Sequence, residues 1–178
     1  MTPIRLFGDP ILRSKAEPVT TFDRELRRLV DDLTDTMLAA PGAGLAAPQL
    51  GVSARVFTYN VDGEVGHMVN PVIETVSDET QDGNEGCLSI PGISLPCVRA
   101  MRTRAVGFDQ HGEPIVIDAA RTLARAVLHE VDHLDGVLFI DRLDGPNRKA
   151  AMRAIRESDW GGAPALTIKV SPHGPFGA

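Results

Sequence analysis

The sequence has only two cysteines, Cys87 and Cys97, in 178 residues. So few exclude a disulfide-stapled scaffold. No apolar run approaches the roughly 20 residues that a membrane-spanning helix needs. The amino terminus, Met1 to Phe7, lacks the apolar core of an export signal. The expected compartment is therefore the cytoplasm, where thiols stay reduced and one is available as a metal ligand. There is no excess of basic charge. The formal net charge of −6 argues against a general or sequence-specific nucleic-acid binder. Internal repeats, low-complexity blocks and linkers are also missing. What remains is an ordinary globular composition, 43% hydrophobic and 24% charged, which predicts a single domain over residues 1–178.

The chemistry concentrates in Ala126 to Gly136, A-V-L-H-E-V-D-H-L-D-G. Leu123, Val127, Val131 and Leu134 recur at helical spacing, which predicts a helix with Asp118 as its N-cap and Gly136 as its stop. His129 and His133, four residues apart, share one face of that helix. They can grip one metal ion from a single rigid element, with Glu130 close enough to reach a metal-bound water. Arg121, Arg125 and Asp132 fall together on what reads as the wetter face. The pair needs a third ligand, and Cys87, after the turn signal Asp82-Gly83-Asn84, offers a thiolate. Three protein ligands and an open position are the mark of a catalytic metal.

The rest of the chain reads as follows. Residues 1–20 are a loop. Thr21 or Asp23 caps a helix to about Ala40, with Leu26, Leu29, Val30, Leu33 and Met37 on its apolar side. Pro41-Gly42 stops it. Strands are predicted over 54–59, over 66–76 with an interruption at Asn70-Pro71, over 98–109, and over 113–117 as a hairpin partner. Asp144-Gly-Pro146 opens a last helix to about Ser158. From about residue 160 the chain is an irregular tail in which only 166–170 is strand-like. Gly42 to Gln49 is small, glycine-rich and nearly uncharged. It lacks the Lys-Ser/Thr of a phosphate loop and, taken alone, reads as a packed turn with Gln49 at the surface. Cys97, His67, His111 and His173 carry no motif. Cys97 reads as packed, the histidines as surface residues.

Three separated blocks, Gly42-Ala43-Gly44-Leu45-Ala46-Ala47-Pro48-Gln49, Glu85-Gly86-Cys87-Leu88-Ser89 and His129-Glu130-Val131-Asp132-His133, together resemble the peptide deformylase family. The opening Gly8-Asp9-Pro10-Ile11-Leu12-Arg13 does too, and the resemblance covers roughly residues 4–158. It implies a metal-dependent hydrolase that removes the N-formyl group from the initiator methionine of nascent peptides and releases formate. It implies Cys87, His129 and His133 as metal ligands, Glu130 as general base, and the Gln49 amide and Leu88 backbone N–H as oxyanion donors. Gly44 and Ala43 are then the substrate-side positions, Gly44 letting backbone pair with an extended peptide. Softness of the ligands suits Zn²⁺. The resemblance instead implies Fe²⁺, with Zn²⁺, Ni²⁺ or Co²⁺ as substitutes. It also implies a supporting charge pair between Glu85 and Arg99.

Three positions depart from the family pattern: Ala43 is small, Leu128 stands where Gln is common, and Ser94 where a substrate-side Arg is frequent. These bear on pocket shape. Arg148, Lys149, Arg153 and Arg156 cluster on one helix face, which fits a solvated surface or a transient ribosome contact. Two rival functions are a metallopeptidase sharing only H-E-x-x-H and a non-enzymatic metal-stabilised protein. The first wants a downstream ligand pattern that is missing; the second needs neither Glu130 nor Gln49. The expected fold is α+β, with mixed, mostly antiparallel sheets packed around the central metal helix.

Overall fold

The structure is a computed structural model and describes residues 2–161. The tail from 162 onward, including the strand-like 166–170 and His173, lies outside the described residues.

Helix α1, Arg24–Ala39, starts where Asp23 Oδ1 accepts the Leu26 N–H at 3.0 Å, the side-chain cap its sequence announces. Its apolar stripe Leu26, Val30, Leu33 and Met37 is buried. Next come strands β1 (Gly44–Ala46), β2 (Val56–Val61), β3 (Glu64–Val76), β4 (Thr80–Gln81), β5 (Asn84–Cys87), β6 (Ile90–Pro96), β7 (Arg99–Ala100), β8 (Arg102–Phe108) and β9 (Pro114–Ala120). Helices α2 (Arg121–Leu134) and α3 (Gly145–Glu157) follow. Every strand pairing is antiparallel. A five-stranded sheet runs in the order β1-β2-β3-β8-β9, and two small ribbons pair β4 with β7 and β5 with β6. The fold is α+β, as expected.

Alternation along the strands decides which helix covers which face. Val56, Val69 and Leu45 face α1. Phe57, Met68, Ala105 and Ile117 face α2, against Val127, Val131 and Leu134. The metal-motif helix is thus sandwiched between the main sheet and the β5–β6 ribbon side of the molecule. Each fully buried side chain of this size stabilises by about 1.5–3 kcal/mol. A third cluster, Leu12, Ile90, Leu138, Phe139, Ile140 and Ile155, ties α3 and the amino-terminal segment to the ribbon.

Four local expectations need correction. β3 runs through Asn70-Pro71 without breaking, because Asn70 takes φ +50 at a bulge. Its side chain closes on both backbone groups of Val19 at 2.8 and 2.9 Å. The long strand expected over 98–109 is broken at Met101: β7 turns away to pair with β4, and only β8 joins the main sheet. Asn84, read with Asp82-Gly83 as a turn signal, instead opens the strand Asn84–Cys87, paired with β6. Asp118 is no helix cap. Pairing with β8 keeps the chain extended to Ala120, and Asp118 instead binds Arg104 Nη1 at 3.0 Å. Helix α2 begins with no side-chain cap, and its first residue, Arg121, has φ +55.

Candidate metal centre

Cys87, at the end of β5, meets the two histidines of α2. Cys87 Sγ lies 3.2 Å from His133 Nε2, and His133 Nε2 lies 3.2 Å from His129 Nε2. All three ligand atoms fall within 4.8 Å of one another, the only such His, Cys, Asp or Glu group among the described residues. Both histidines are buried and Cys87 is half-buried. Two features show that the donor set fits a metal ion. His129 Nδ1 is 2.6 Å from Glu85 Oε1; the carboxylate fixes the ring through Nδ1, which leaves Nε2 as the atom turned toward the cluster and available to a metal. The 3.2 Å spacings are also close to the edges, about 3.3–3.6 Å, of a tetrahedron of ligands at about 2.0–2.3 Å from one ion.

Glu130, next to His129 on α2, lies against Gly44 of β1. It is buried, and its Oε2 has no hydrogen-bond partner among the described residues. Burial pushes its carboxyl up to about 7 in the metal-free protein, against a smaller opposing pull from His129. Burial pulls His129 down, but hydrogen bonds to Cys87 and Glu85 outweigh it and hold the ring well above its usual range. His133 is pushed well below by burial and by the charge on His129.

Gln49 is fully buried, not at the surface. It lies in a 3-10 turn, Ala47–Leu50, directly after β1. Its Oε1 accepts the Ala46 N–H at 2.9 Å, which turns its amide nitrogen toward the centre. That Nε2 donates to Ser89 Oγ at 3.1 Å and lies 3.7 Å from Cys87 Sγ. The Ser89 N–H also points at the sulfur, at 3.4 Å. Leu88 is half-buried, its side chain packed over Gly42. Gly44 is half-buried and Ala43 exposed, at the edge strand β1.

Behind His129 lies a charge network. Arg99 binds Glu85 through Nε at 3.0 Å and Nη2 at 2.6 Å, and Asp132 through Nη1 at 2.7 Å. The expected Glu85–Arg99 pair is therefore present, but Glu85 also holds His129, which sequence reading missed. Burial pushes the Glu85 carboxyl up, yet His129 and Arg99 outweigh it and hold it far below the usual carboxylate range. Arg125 Nη1 donates to Glu85 Oε2 and the Cys97 carbonyl, both at 2.8 Å. Arg142 binds Asp132 at 2.8 Å. Arg125 and Asp132 are thus inside rather than on a wet face: helical spacing placed them together, and partners distant in sequence bury them. Only Arg121 is exposed as expected. Cys97 is packed as expected. His67 is half-buried and accepts the Gln110 N–H at 3.0 Å, so it is not a free surface residue.

Residues 1–149 match the family model described as polypeptide deformylase. A peptide deformylase of Acidothermus cellulolyticus is 63% identical over 171 residues, covering 96% of this chain and 94% of that protein. One of Parafrankia sp. is 58% identical over 175 residues, covering 98% and 96%. The crystal structure of a peptide deformylase from Thermus thermophilus superposes with a TM-score of 0.82 at 44% identity, covering 88% of this chain and 93% of that one.

Proposed function

The chain belongs to the polypeptide deformylase family, and from that premise we propose which of its residues perform the family's reaction. It is a hydrolase that removes the N-formyl group from the amino-terminal methionine of newly synthesised proteins, releasing formate. The reading of its residues is that Cys87, His129 and His133 hold a divalent metal ion. When bound, such an ion makes water acidic and stabilises a negatively charged oxygen. Glu130 accepts the proton from the water that attacks the formyl carbon, then gives it to the leaving amine as the C–N bond breaks. The Gln49 amide and the Leu88 N–H donate to the tetrahedral oxyanion. One such donor is typically worth about 2.7–4 kcal/mol. Gly44, in the edge strand β1, and Ala43, just before it, stand where an extended peptide can add as a further strand.

The observation that carries the assignment is the buried Glu130 carboxylate, unpartnered at Oε2, beside three converging donors. A purely structural metal site has no use for it. Glu130→Gln tests this: the variant keeps its metal and loses formate release from a formyl-Met dipeptide. A metallated variant with full activity contradicts the assignment.

Four finer readings belong to the same proposal. The physiological ion is Fe²⁺, with Zn²⁺, Ni²⁺ or Co²⁺ able to substitute. An iron–thiolate site makes the enzyme oxygen-sensitive, so anaerobic preparation preserves iron and activity together. The whole chain is one catalytic domain working in the cytoplasm; no helix among the described residues is long and apolar enough to cross a membrane. The exposed cations of α3, Arg148, Lys149, Arg153 and Arg156, support a transient, salt-sensitive ribosome contact, which cosedimentation at two ionic strengths checks.

A further inference from the structure

Asp132 occupies one of the two unspecified positions of H-E-x-x-H. It is nevertheless buried, with its side chain 11% exposed, and carries contacts from two guanidinium groups. The contacts close a ring. From His129 on α2 the path goes to Glu85 on β5, then to Arg99 on β7, and through Arg99 Nη1 to Asp132, back on α2. His129 and Asp132 are three residues apart and therefore neighbours on the helix surface. Four side chains thus lock the strand that carries Cys87, two residues beyond Glu85, onto the helix that carries the other two ligands.

We propose that Asp132 is a positioning residue for the metal centre, acting through Arg99 and Glu85 to fix the His129 ring and the Cys87 strand. The geometry gives the reason. Arg99 grips Glu85 with two parallel hydrogen bonds, which sets the carboxylate in the plane of the guanidinium. His129 and Arg125, both on α2, already hold the Glu85 carboxylate, Arg125 through Nη1 at 2.8 Å. The third bond of Arg99, to Asp132, ties the guanidinium itself to the same helix and so fixes the plane in which it grips Glu85. Glu85 Oε1 is then held at once by Arg99 Nη2 and by His129 Nδ1, each at 2.6 Å. The direction in which His129 Nε2 points follows from that hold. Arg142 anchors the far side of Asp132 from the 3-10 turn Phe139–Arg142, and its side chain is half-exposed. It steadies the ring from outside without closing it. The role rests on His129 being a metal ligand.

The test is Asp132→Asn, which keeps shape and one acceptor but removes the charge. The readouts are the Co²⁺ dissociation constant, measured by chelator competition, and the visible spectrum of the Co²⁺ protein. Loss of an outer partner typically costs 10–100-fold in metal affinity. The expected result is a rise of at least about tenfold in the Co²⁺ constant, an altered d–d spectrum, and a fall in kcat with KM for a formyl-Met peptide unchanged. Reduced thermal stability with an unchanged Co²⁺ constant and spectrum overturns the proposal and leaves Asp132 a merely structural residue. Should the Asn variant not fold, Asp132→Glu displaces the same charge by one methylene and is judged by the same two readouts. His129→Ala is the control for the underlying assignment. Metal lost there but held normally in Asp132→Asn removes only the positioning role. Metal held normally by His129→Ala removes the ligand assignment itself.

Discussion

Gly44 lies against the Glu130 carboxylate so closely that any side chain at that position would displace it. A Cβ built on Gly44 falls 2.7 Å from the Glu130 carboxyl carbon and 2.8 Å from its Cγ. On the proposed reading, the glycine of β1 serves the base as well as a peptide added at the strand edge. Because the obstructing atoms are the end of a side chain and not backbone, Gly44→Ala moves Glu130 instead of unfolding the sheet. The expected outcome is a loss of formate release of about 10²-fold, the lower range for a general base put out of place. Metal content and melting temperature should stay near wild type. Full activity in Gly44→Ala contradicts this account of the glycine.

Gln49→Ala removes two things at once. On the proposed reading it deletes a donor to the oxyanion, which costs about 10²–10³ in kcat. It also leaves the buried Ala46 N–H without its acceptor, which destabilises by about 1–3 kcal/mol. Steady-state kinetics and chemical denaturation on the same preparation separate the two. A variant that loses stability and keeps kcat removes Gln49 from the reaction.

The Glu85 carboxyl titrates far lower in the folded chain than in the unfolded one. A depressed carboxyl adds stability that is fully present above its unfolded pKa of about 4.3 and is lost as pH falls toward the folded value. The unfolded chain takes up the proton first, so acid favours unfolding. Melting temperatures of wild type and Glu85→Gln, measured on metal-free protein between pH 6 and about pH 3, should differ most at pH 6 and by progressively less toward pH 3. A constant difference across that range contradicts the linkage.

Arg121 opens α2 with φ +55, a conformation that costs an ordinary L-residue about 1–2 kcal/mol. Its side chain is exposed, and its backbone is fixed by bonds from its N–H to the Met101 carbonyl at 2.8 Å and from Gln81 Nε2 to its own carbonyl at 2.7 Å. Arg121→Gly relieves the strain and gives back part of the gain in chain entropy. A rise in melting temperature of about 2–4 °C is expected for a net gain near 1 kcal/mol. A lower melting temperature shows that the position is unstrained.

The sequence made the ligands legible because each signal was local. Four-residue spacing put His129 and His133 on one helix face, and the caps at Asp23 and Asp144 are read from a few adjacent residues. The errors arose where a distant partner decided the outcome. Asp118 looks like a helix cap until β8 brings Arg104 to it. Asp132 and Arg125 look solvated until Arg99 and Glu85, from separate strands, cover them. Gln49 looks like a surface residue because the sulfur and hydroxyl that receive it lie 38 and 40 positions away. Glu85 was visible as a charge partner of Arg99, but its hold on His129 needed the register of the β5–β6 ribbon against α2, which no periodicity encodes.

The convergence of Cys87, His129 and His133 on one ion is tested most directly by metal analysis and formate release on the same anaerobic preparations of wild type, Cys87→Ala and His133→Ala. Wild type should carry one ion per chain and release formate from a formyl-Met dipeptide, and each variant should lose metal and activity together. A Cys87→Ala protein that retains a full complement of metal and normal formate release would contradict the account at its centre.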